Sequence, residues 1–148
     1  MRPATSVHTN AVKMTVMENF RDFQVGPDPF GRTWHAMFKY LQTGISIRKA
    51  DTIDVCFVLE SPGTEGETER MKKVVVIQHA DLRAHAGRTS RKISDTLCSR
   101  IAMLKLRFVI ETAEDLEKEY LAVTPAELAE FDARIQTWEA EWVKARAA

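Results

Sequence analysis

The sequence lacks the features that mark membrane proteins and disulfide-stabilised secreted proteins. No apolar run approaches the roughly 20 residues that a membrane-spanning helix needs. The first twenty residues contain no continuous apolar stretch like that of a signal peptide, because Lys13 interrupts the only candidate. There are only two cysteines, Cys56 and Cys98, and they lack the CxxC spacing of metal and redox sites. These absences predict a cytoplasmic protein in which both thiols are buried and reduced.

The common sequence motifs of enzymes are missing as well. The chain contains no GxxxxGK(S/T) or GxGxxG phosphate loop, no GxSxG nucleophile elbow and no HExxH zinc motif. No histidine or asparagine is placed by sequence next to Cys98, so a cysteine nucleophile is not indicated. The sequence therefore favours a protein that is not an enzyme and that carries no cofactor.

Charge is balanced over the whole chain but not along it. The 21 basic and 21 acidic side chains cancel, which predicts no overall attraction to nucleic acid or to an acidic membrane. However, residues 83–107 carry seven lysines or arginines against one acid, and residues 111–141 carry ten acids against two bases. One interpretation is that the basic segment pairs with the acidic one, within the chain or across a two-fold axis.

The other interpretation of the basic segment is an anion-binding site. Its basic residues lie at the entrance of a predicted helix, whose N-terminus also favours negative charge. Such a site would bind phosphate or a nucleic-acid backbone, with an affinity that falls steeply with salt. No aromatic residue lies within 82–107 to stack on bases. The candidate anion-binding residues are Arg83, Arg88, Arg91 and Lys92.

Alternating patterns in the N-terminal half predict strands. Residues 51–60 alternate apolar and polar side chains, and residues 72–78 contain the β-branched run typical of a strand buried on both faces. Residues 33–44 fit either a helix between Thr33 and Gly44 or a strand, and their aromatic side chains favour the strand. Residues 12–16 also alternate and suggest a first strand.

Two further segments of the N-terminal half are predicted to be irregular. Residues 61–70 contain two glycines, a proline and no aliphatic or aromatic side chain, and they are predicted to form a mobile hairpin loop between antiparallel strands. Residues 1–10 carry no pattern and are predicted to be disordered.

The C-terminal half has helical periodicity. Residues 79–87 predict a short helical turn that Gly87 closes, and Ser90 or Ser94 is the expected N-cap of the helix that follows. In that helix one apolar stripe is predicted to be buried, and it consists of Ile93, Leu97, Ile101, Leu104 and Phe108. The acidic residues 111–120 are predicted to continue this helix or to restart one at Thr112.

A terminal helix over 125–145 is the best supported element. Thr124 is the predicted N-cap, Pro125 the first helical residue and Glu127 the third, which together form a capping box. Its apolar face is predicted to pack on a core or to form a dimer interface, and it consists of Leu128, Phe131, Ile135, Trp138 and Trp142.

One group of residues suggests a metal site. His79, Asp81 and His85 fall within seven residues, where a predicted strand meets a short helix. Asp81 and His85 are four apart and would share a helical face. Two imidazoles and one carboxylate suit Zn²⁺ or Fe²⁺. The competing interpretation is that Asp81 caps the helix beside two surface histidines.

Together these patterns predict a single α+β domain over residues 1–148. An antiparallel sheet of about four or five strands from the N-terminal half is expected to pack against two or three C-terminal helices. The leading functional hypothesis is a small, non-catalytic cytoplasmic protein that binds a partner and acts as a homodimer. The alternatives are an anion or nucleic-acid binder through residues 83–92 and a metal-dependent enzyme using His79, Asp81 and His85.

Overall fold

The computed structural model describes residues 19–44, 51–63 and 66–147. Within these residues the strands are β1 (Asp22–Val25), β2 (Trp34–Gly44), β3 (Thr52–Pro62), β4 (Thr68–Gln78) and β5 (Tyr120–Ala122). The helices are α1 (His79–Thr89), α2 (Asp95–Thr112) and α3 (Pro125–Ala147). The predicted α+β class, with a sheet from the N-terminal half and helices from the C-terminal half, is confirmed. The strand predicted at 12–16 and the disorder predicted at 1–10 fall outside the described residues.

The five strands form one sheet in the order β1-β2-β3-β4-β5. The first four are an antiparallel meander, as alternating patterns joined by short connections favour. β5 pairs in parallel with β4 and was not predicted. The acidic segment after α2 does not extend the helix, because Ala113 adopts a left-handed conformation with φ 62° and ends it.

A buried lysine holds the segment between α2 and β5 against the sheet. Lys73 on β4 donates hydrogen bonds to the carbonyl oxygens of Leu116 and Lys118. Burial lowers the pKa of Lys73, although the nearby carboxylates of Glu117 and Glu119 act against that shift. The lysine therefore satisfies two carbonyl groups of the segment that follows α2.

Residues 33–44 form a strand, as their aromatic content predicted, but the strand is not regular. Phe38 pairs with Phe57 and Tyr40 pairs with Cys56, so Lys39 is an extra residue in β2. Such a β-bulge shifts the alternation of side chains by one position. As a result Phe38 packs against the core while Tyr40 is on the other face of the sheet.

The connection between β3 and β4 is shorter than the predicted loop over 61–70. Strand pairing continues to Pro62 opposite Thr68, so only residues 63–67 connect the two strands. The polar residues at the start of β4 are compatible with a strand, because Arg70 donates a hydrogen bond to the carboxylate of Glu60 on the neighbouring strand.

The core lies between one face of the sheet, the inner face, and α2. Alternate residues of β3 point into it, and Val55, Phe57 and Leu59 are fully buried there. Burial of each such side chain contributes roughly 1.5–3 kcal/mol to folding. α2 is buried on more than the predicted stripe, because α3 packs on its opposite side.

The helix termini follow the predicted caps with one change. The side chain of Ser94 accepts a hydrogen bond from the Leu97 amide at the start of α2. The amide of Glu127 donates to Thr124 Oγ1 at 3.1 Å, and the Thr124 amide donates to Glu127 Oε1 at 3.0 Å. Ser90 instead ends α1 in a left-handed conformation, so that helix continues past Gly87.

In the part of the chain that the structure describes, none of the helices has both the length and the apolar composition that crossing a membrane requires.

Candidate functional site

The described helices leave one face of the sheet, the open face, outside the core. The core cluster joins the helices to the inner-face residues and includes none of the apolar residues that alternate with them. Because side chains of a strand alternate between faces, these residues share the opposite side of the sheet. The apolar residues of the open face are Met37, Tyr40, Cys56, Val58, Val74, Val76 and Tyr120.

A row of four paired residues crosses the centre of the open face. Tyr40 on β2 is opposite Cys56 on β3, Cys56 is opposite Val74 on β4, and Val74 is opposite Tyr120 on β5. The two central residues are buried, whereas Tyr40 is 37% and Tyr120 59% exposed. The row therefore presents an aromatic side chain to solvent at each end.

The aromatic and thiol groups of this row interact with each other and with one lysine. A hydrogen bond to Cys56 is the main cause that raises the pKa of Tyr40. The negative charge that Tyr40 and Cys56 would carry on ionisation raises the pKa of Lys72, as does the carboxylate of Glu119. At neutral pH Tyr40 is thus a neutral phenol, and Lys72 beside it is a cation.

Charged residues at the hairpin end of the open face are paired within the chain. Arg70 on β4 pairs with Glu60 on β3, and His35 on β2 contacts Asp22 on β1. His35, Glu60 and Arg70 are directly opposite one another in one row across the sheet, and Asp22 lies in the adjacent row. The open face therefore has a largely apolar centre and a polar end whose charges are locally balanced.

The residues of the predicted metal site do not converge in the structure. The structure keeps His79, Asp81 and His85 apart, because His85 turns into the protein while Nδ1 of His79 lies 3.5 Å from Arg83 on the surface. Within the described ranges, no group of three or more His, Cys, Asp or Glu side chains is placed to hold a metal ion. Asp81 and His85 are four residues apart on one helix, but they do not form a site together, because the His85 imidazole contacts a carboxylate on another helix.

That partner is Asp132 on α3, a fully buried carboxylate. His85 Nε2 lies 2.6 Å from Asp132 Oδ2, and Gln136 Nε2 donates to the same oxygen at 3.1 Å. Arg91 Nε donates to Asp132 Oδ1, also at 3.1 Å, and Arg91 pairs with Glu139 at 2.9 Å. A buried carboxylate is stable when it is paired and hydrogen-bonded in this way. The cluster joins α1, α3 and the segment between α1 and α2.

Part of the basic segment pairs with acids of α3 in the same chain. Besides Arg91, Lys105 pairs with Glu127 at 2.9 Å and Arg100 approaches Glu139 at 3.6 Å. The intramolecular pairing interpretation thus accounts for three of the basic side chains of this segment.

The anion-binding candidates are consequently divided. Arg91 points into the cluster around Asp132, and Arg83, Arg88 and Lys92 remain exposed. Arg91 is therefore half-buried and paired with carboxylates of α3.

The predicted interface on the terminal helix belongs to the core of a single chain. Leu128, Phe131, Ile135 and Trp138 are buried, and Trp142 is half-buried against them. Arg100 of α2 stacks over Trp138 at 4.5 Å from the ring centroid. A second folded copy cannot reach the four buried side chains, because they pack within one chain.

Sequence reasoning did not identify the open face, although one signal was present. The uninterrupted apolar run at 74–77 was recognised as typical of a strand buried on both faces. In the structure Val75 and Ile77 face the core, whereas Val74 and Val76 face away from it. The run therefore indicated a second apolar surface that the described helices do not cover.

Comparisons of this chain with protein-family models, with curated proteins and with solved structures found no match.

Proposed function

We propose that this protein is a non-catalytic binding protein that acts as a homodimer in which the open faces of two copies pack together. The observation that carries the proposal is the central row from Tyr40 to Tyr120, an apolar surface outside the core cluster with aromatic side chains exposed at both ends. Exposed aromatic side chains beside half-buried valines are typical of protein–protein interaction sites.

A second copy suits this surface because the surface is self-complementary. In a two-fold dimer the same patch contacts itself, so the accessible apolar side chains around the centre meet those of the partner, namely Tyr40, Val58, Val76 and Tyr120. Two sheets can pack face to face with their side chains interdigitated, as in a β-sandwich. Val58 and Val76, half-buried in one chain, would complete their burial against the partner. Homodimer interfaces are more apolar than other protein interfaces, which agrees with this composition.

The distribution of charge also favours self-association. The chain has a formal net charge of zero, so two copies do not repel each other. At the polar end of the open face, Arg70 and Glu60 are already paired, as are His35 and Asp22. At this end a partner therefore need not supply opposite charges at fixed positions, and the cation beside the central row, Lys72, lies near the carboxylate of Glu119 in its own chain.

The state of the cysteines supports a reducing, cytoplasmic location as part of the proposal. Cys56 and Cys98 are both free and buried. Cys98 belongs to the core cluster, whereas Cys56 is on the open face, so the two thiols are on opposite sides of the sheet. In an oxidising compartment, free thiols are less common than disulfides in a chain of this size.

The test is a comparison of two identical substitutions at different places. Val58→Lys puts a charge in the open face beside Lys72, and in a two-fold dimer it would bury repelling charges at the contact. Val143→Lys makes the same change on α3, where Val143 is 61% exposed. Sedimentation equilibrium over a concentration series is expected to show a dimer for the wild type and Val143→Lys, and a monomer for Val58→Lys.

Circular dichroism on both variants checks that the fold is retained. The proposal is wrong if the wild type sediments as a monomer throughout the series. It is also wrong if folded Val58→Lys dimerises as well as Val143→Lys does.

A further inference from the structure

A cleft of about 580 Å³ lies between the β1–β2 turn, the hairpin end of β4 and the segment after α2. This volume is within the range of about 300–1,000 Å³ that is usual for small-molecule sites. The cleft is lined in part by inner-face residues and has no residue in common with the central row of the open face. It shares Arg70 with the polar end of the open face, but a ligand bound here would leave the central row free.

The turn that forms one wall is held by a single carboxylate. Asp28 Oδ1 accepts hydrogen bonds from the amides of Phe30 and Arg32, both at 2.9 Å, and Oδ2 accepts one from Trp34 Nε1 at 3.1 Å. Burial on its own would raise the pKa of Asp28, but these hydrogen bonds lower it overall. The carboxylate is thus ionised and fully engaged within the turn.

The backbone of the same turn leaves no room for a side chain at Gly26. Its φ is +121°, and a Cβ there would lie 2.8 Å from the carbonyl oxygen of Arg32. The turn therefore holds a fixed shape, and it presents Phe30 to solvent with 79% of its surface exposed. A large exposed aromatic on a rigid turn beside a cleft is a typical binding element.

Two opposite charges lie side by side in the cleft. The guanidinium of Arg32 makes two contacts of 2.6 Å with the carboxylate of Glu69. The same guanidinium stacks over the ring of Trp34 at 5.5 Å from the centroid. The hydrogen bond between Arg32 and Glu69 raises the pKa of Arg32 and lowers that of Glu69, so both groups are charged at neutral pH. Phe30, Met71 and Leu116 supply apolar surface beside this pair.

This combination restricts the class of ligand. A singly charged molecule would take one member of the Arg32–Glu69 pair and leave the other without its counter-charge. A zwitterion satisfies both members, because its carboxylate binds Arg32 and its ammonium binds Glu69. The pair is partly solvated, with side-chain exposures of 30% and 54%, so both charged groups are within reach of a ligand. An apolar group on the ligand would contact Phe30, Met71 and Leu116.

We propose that the cleft binds a free amino acid with an apolar side chain, held by Arg32 and Glu69 through its two charged groups. The proposal does not depend on the proposed function, since the central row of the open face takes no part in the cleft.

The test uses three probes that share one apolar group. L-Phenylalanine carries both charges, 3-phenylpropionate lacks the ammonium and phenethylamine lacks the carboxylate. Each is titrated into the ¹⁵N-labelled full chain while the amide signals of Phe30 and Glu69 and the indole signal of Trp34 are followed. L-Phenylalanine is expected to shift these signals in a saturable manner, with each analogue binding at least tenfold more weakly.

Two variants separate this proposal from the dimer. Phe30→Ala removes an exposed side chain from the cleft and is expected to weaken phenylalanine binding severalfold without changing the oligomeric state. Tyr120→Ala removes an exposed aromatic from the open face and is expected to leave binding unchanged. The proposal is overturned if phenylalanine causes no saturable shift, if the analogues bind equally well, or if Phe30→Ala binds like the wild type.

Discussion

The Nε2 atom of His85 lies 2.6 Å from Oδ2 of Asp132, so that a buried imidazole of α1 is joined to a buried carboxylate of α3. Within the described residues, His85 Nδ1 has no hydrogen-bond partner, so Nε2 makes the one side-chain hydrogen bond of this imidazole. Asp132 accepts two further hydrogen bonds, from Arg91 and Gln136. This arrangement fixes α3 to α1, the helix that directly follows β4.

Replacing Asp132 is expected to destabilise the fold more than any change to the solvated acids of α3. Asp132→Asn removes the charge that balances Arg91 and puts an amide donor near groups that already donate. Breaking a buried pair in this way costs about 3–5 kcal/mol. Urea unfolding at neutral pH measures the loss.

The matched control for that variant is Glu139→Gln. Glu139 also pairs with Arg91, but it is one-third exposed, so the expected loss is below about 1 kcal/mol. Equal losses for the two variants would show that the buried cluster does not stabilise the fold as described.

The thiol of Cys98 is expected to make stability fall at alkaline pH. Burial, and to a smaller extent the charge of Asp95, raises the pKa of Cys98 from 9.0 to about 11. Between these values the unfolded chain has lost the thiol proton while the folded chain keeps it. Because the unfolded state then binds fewer protons, the free energy of unfolding decreases as the pH rises through this window. The full loss corresponds to roughly 2–3 kcal/mol.

Other groups also titrate at alkaline pH, so the measurement is a difference between two proteins. The free energies of unfolding of the wild type and of Cys98→Ala are measured from pH 8 to pH 11. The wild type is expected to lose stability relative to the variant as the pH rises above 9. A pH-independent difference would mean that the thiol ionises in the folded chain as easily as in the unfolded one.

The exposed basic residues are expected not to retain the protein on heparin. Arg83, Arg88 and Lys92 remain in solvent, but Arg91 is bound to Asp132 and Glu139. Three exposed cations on a chain of zero net charge give only a weak electrostatic attraction. The wild type is therefore expected to elute at about 50 mM salt, where true phosphate-backbone binders are held.

Retention at that salt concentration would revive the anion-binding alternative. The variant in which Arg83, Arg88 and Lys92 are all glutamine then identifies the source of the attraction. Loss of retention in this variant alone would assign the interaction to the basic segment.

The elements that the sequence predicted correctly are those whose stabilising contacts recur at a fixed spacing along the chain. The β-branched run around Val75 forms a strand, and Leu97 and Ile101 are buried on the predicted stripe of α2. The capping box at Thr124 and Glu127 formed as expected, because both partners are within one helical turn. In each case the decisive neighbours are close in sequence.

The features that could not be predicted depend on residues far apart in sequence. His85 was assigned to a metal site with Asp81 four residues away, but its real partner is 47 residues away. β5 has only three residues and pairs with a strand that precedes two helices. Neither its length nor its acidic surroundings distinguish it from a loop. The bulge at Lys39 could not be predicted from the sequence either, because it depends on the register between β2 and β3.

The position of β5 has a consequence for the order in which the chain folds. The contacts of the β1–β4 meander are between neighbouring segments, so the loops that they close are short and inexpensive in chain entropy. β5 instead pairs residue 120 with residue 74, and both intervening helices must be in place before the two backbones meet. Distant contacts of this kind slow folding. We therefore expect docking of this last strand to be the late step that completes the native state, and amide exchange along β5 to report its reopening.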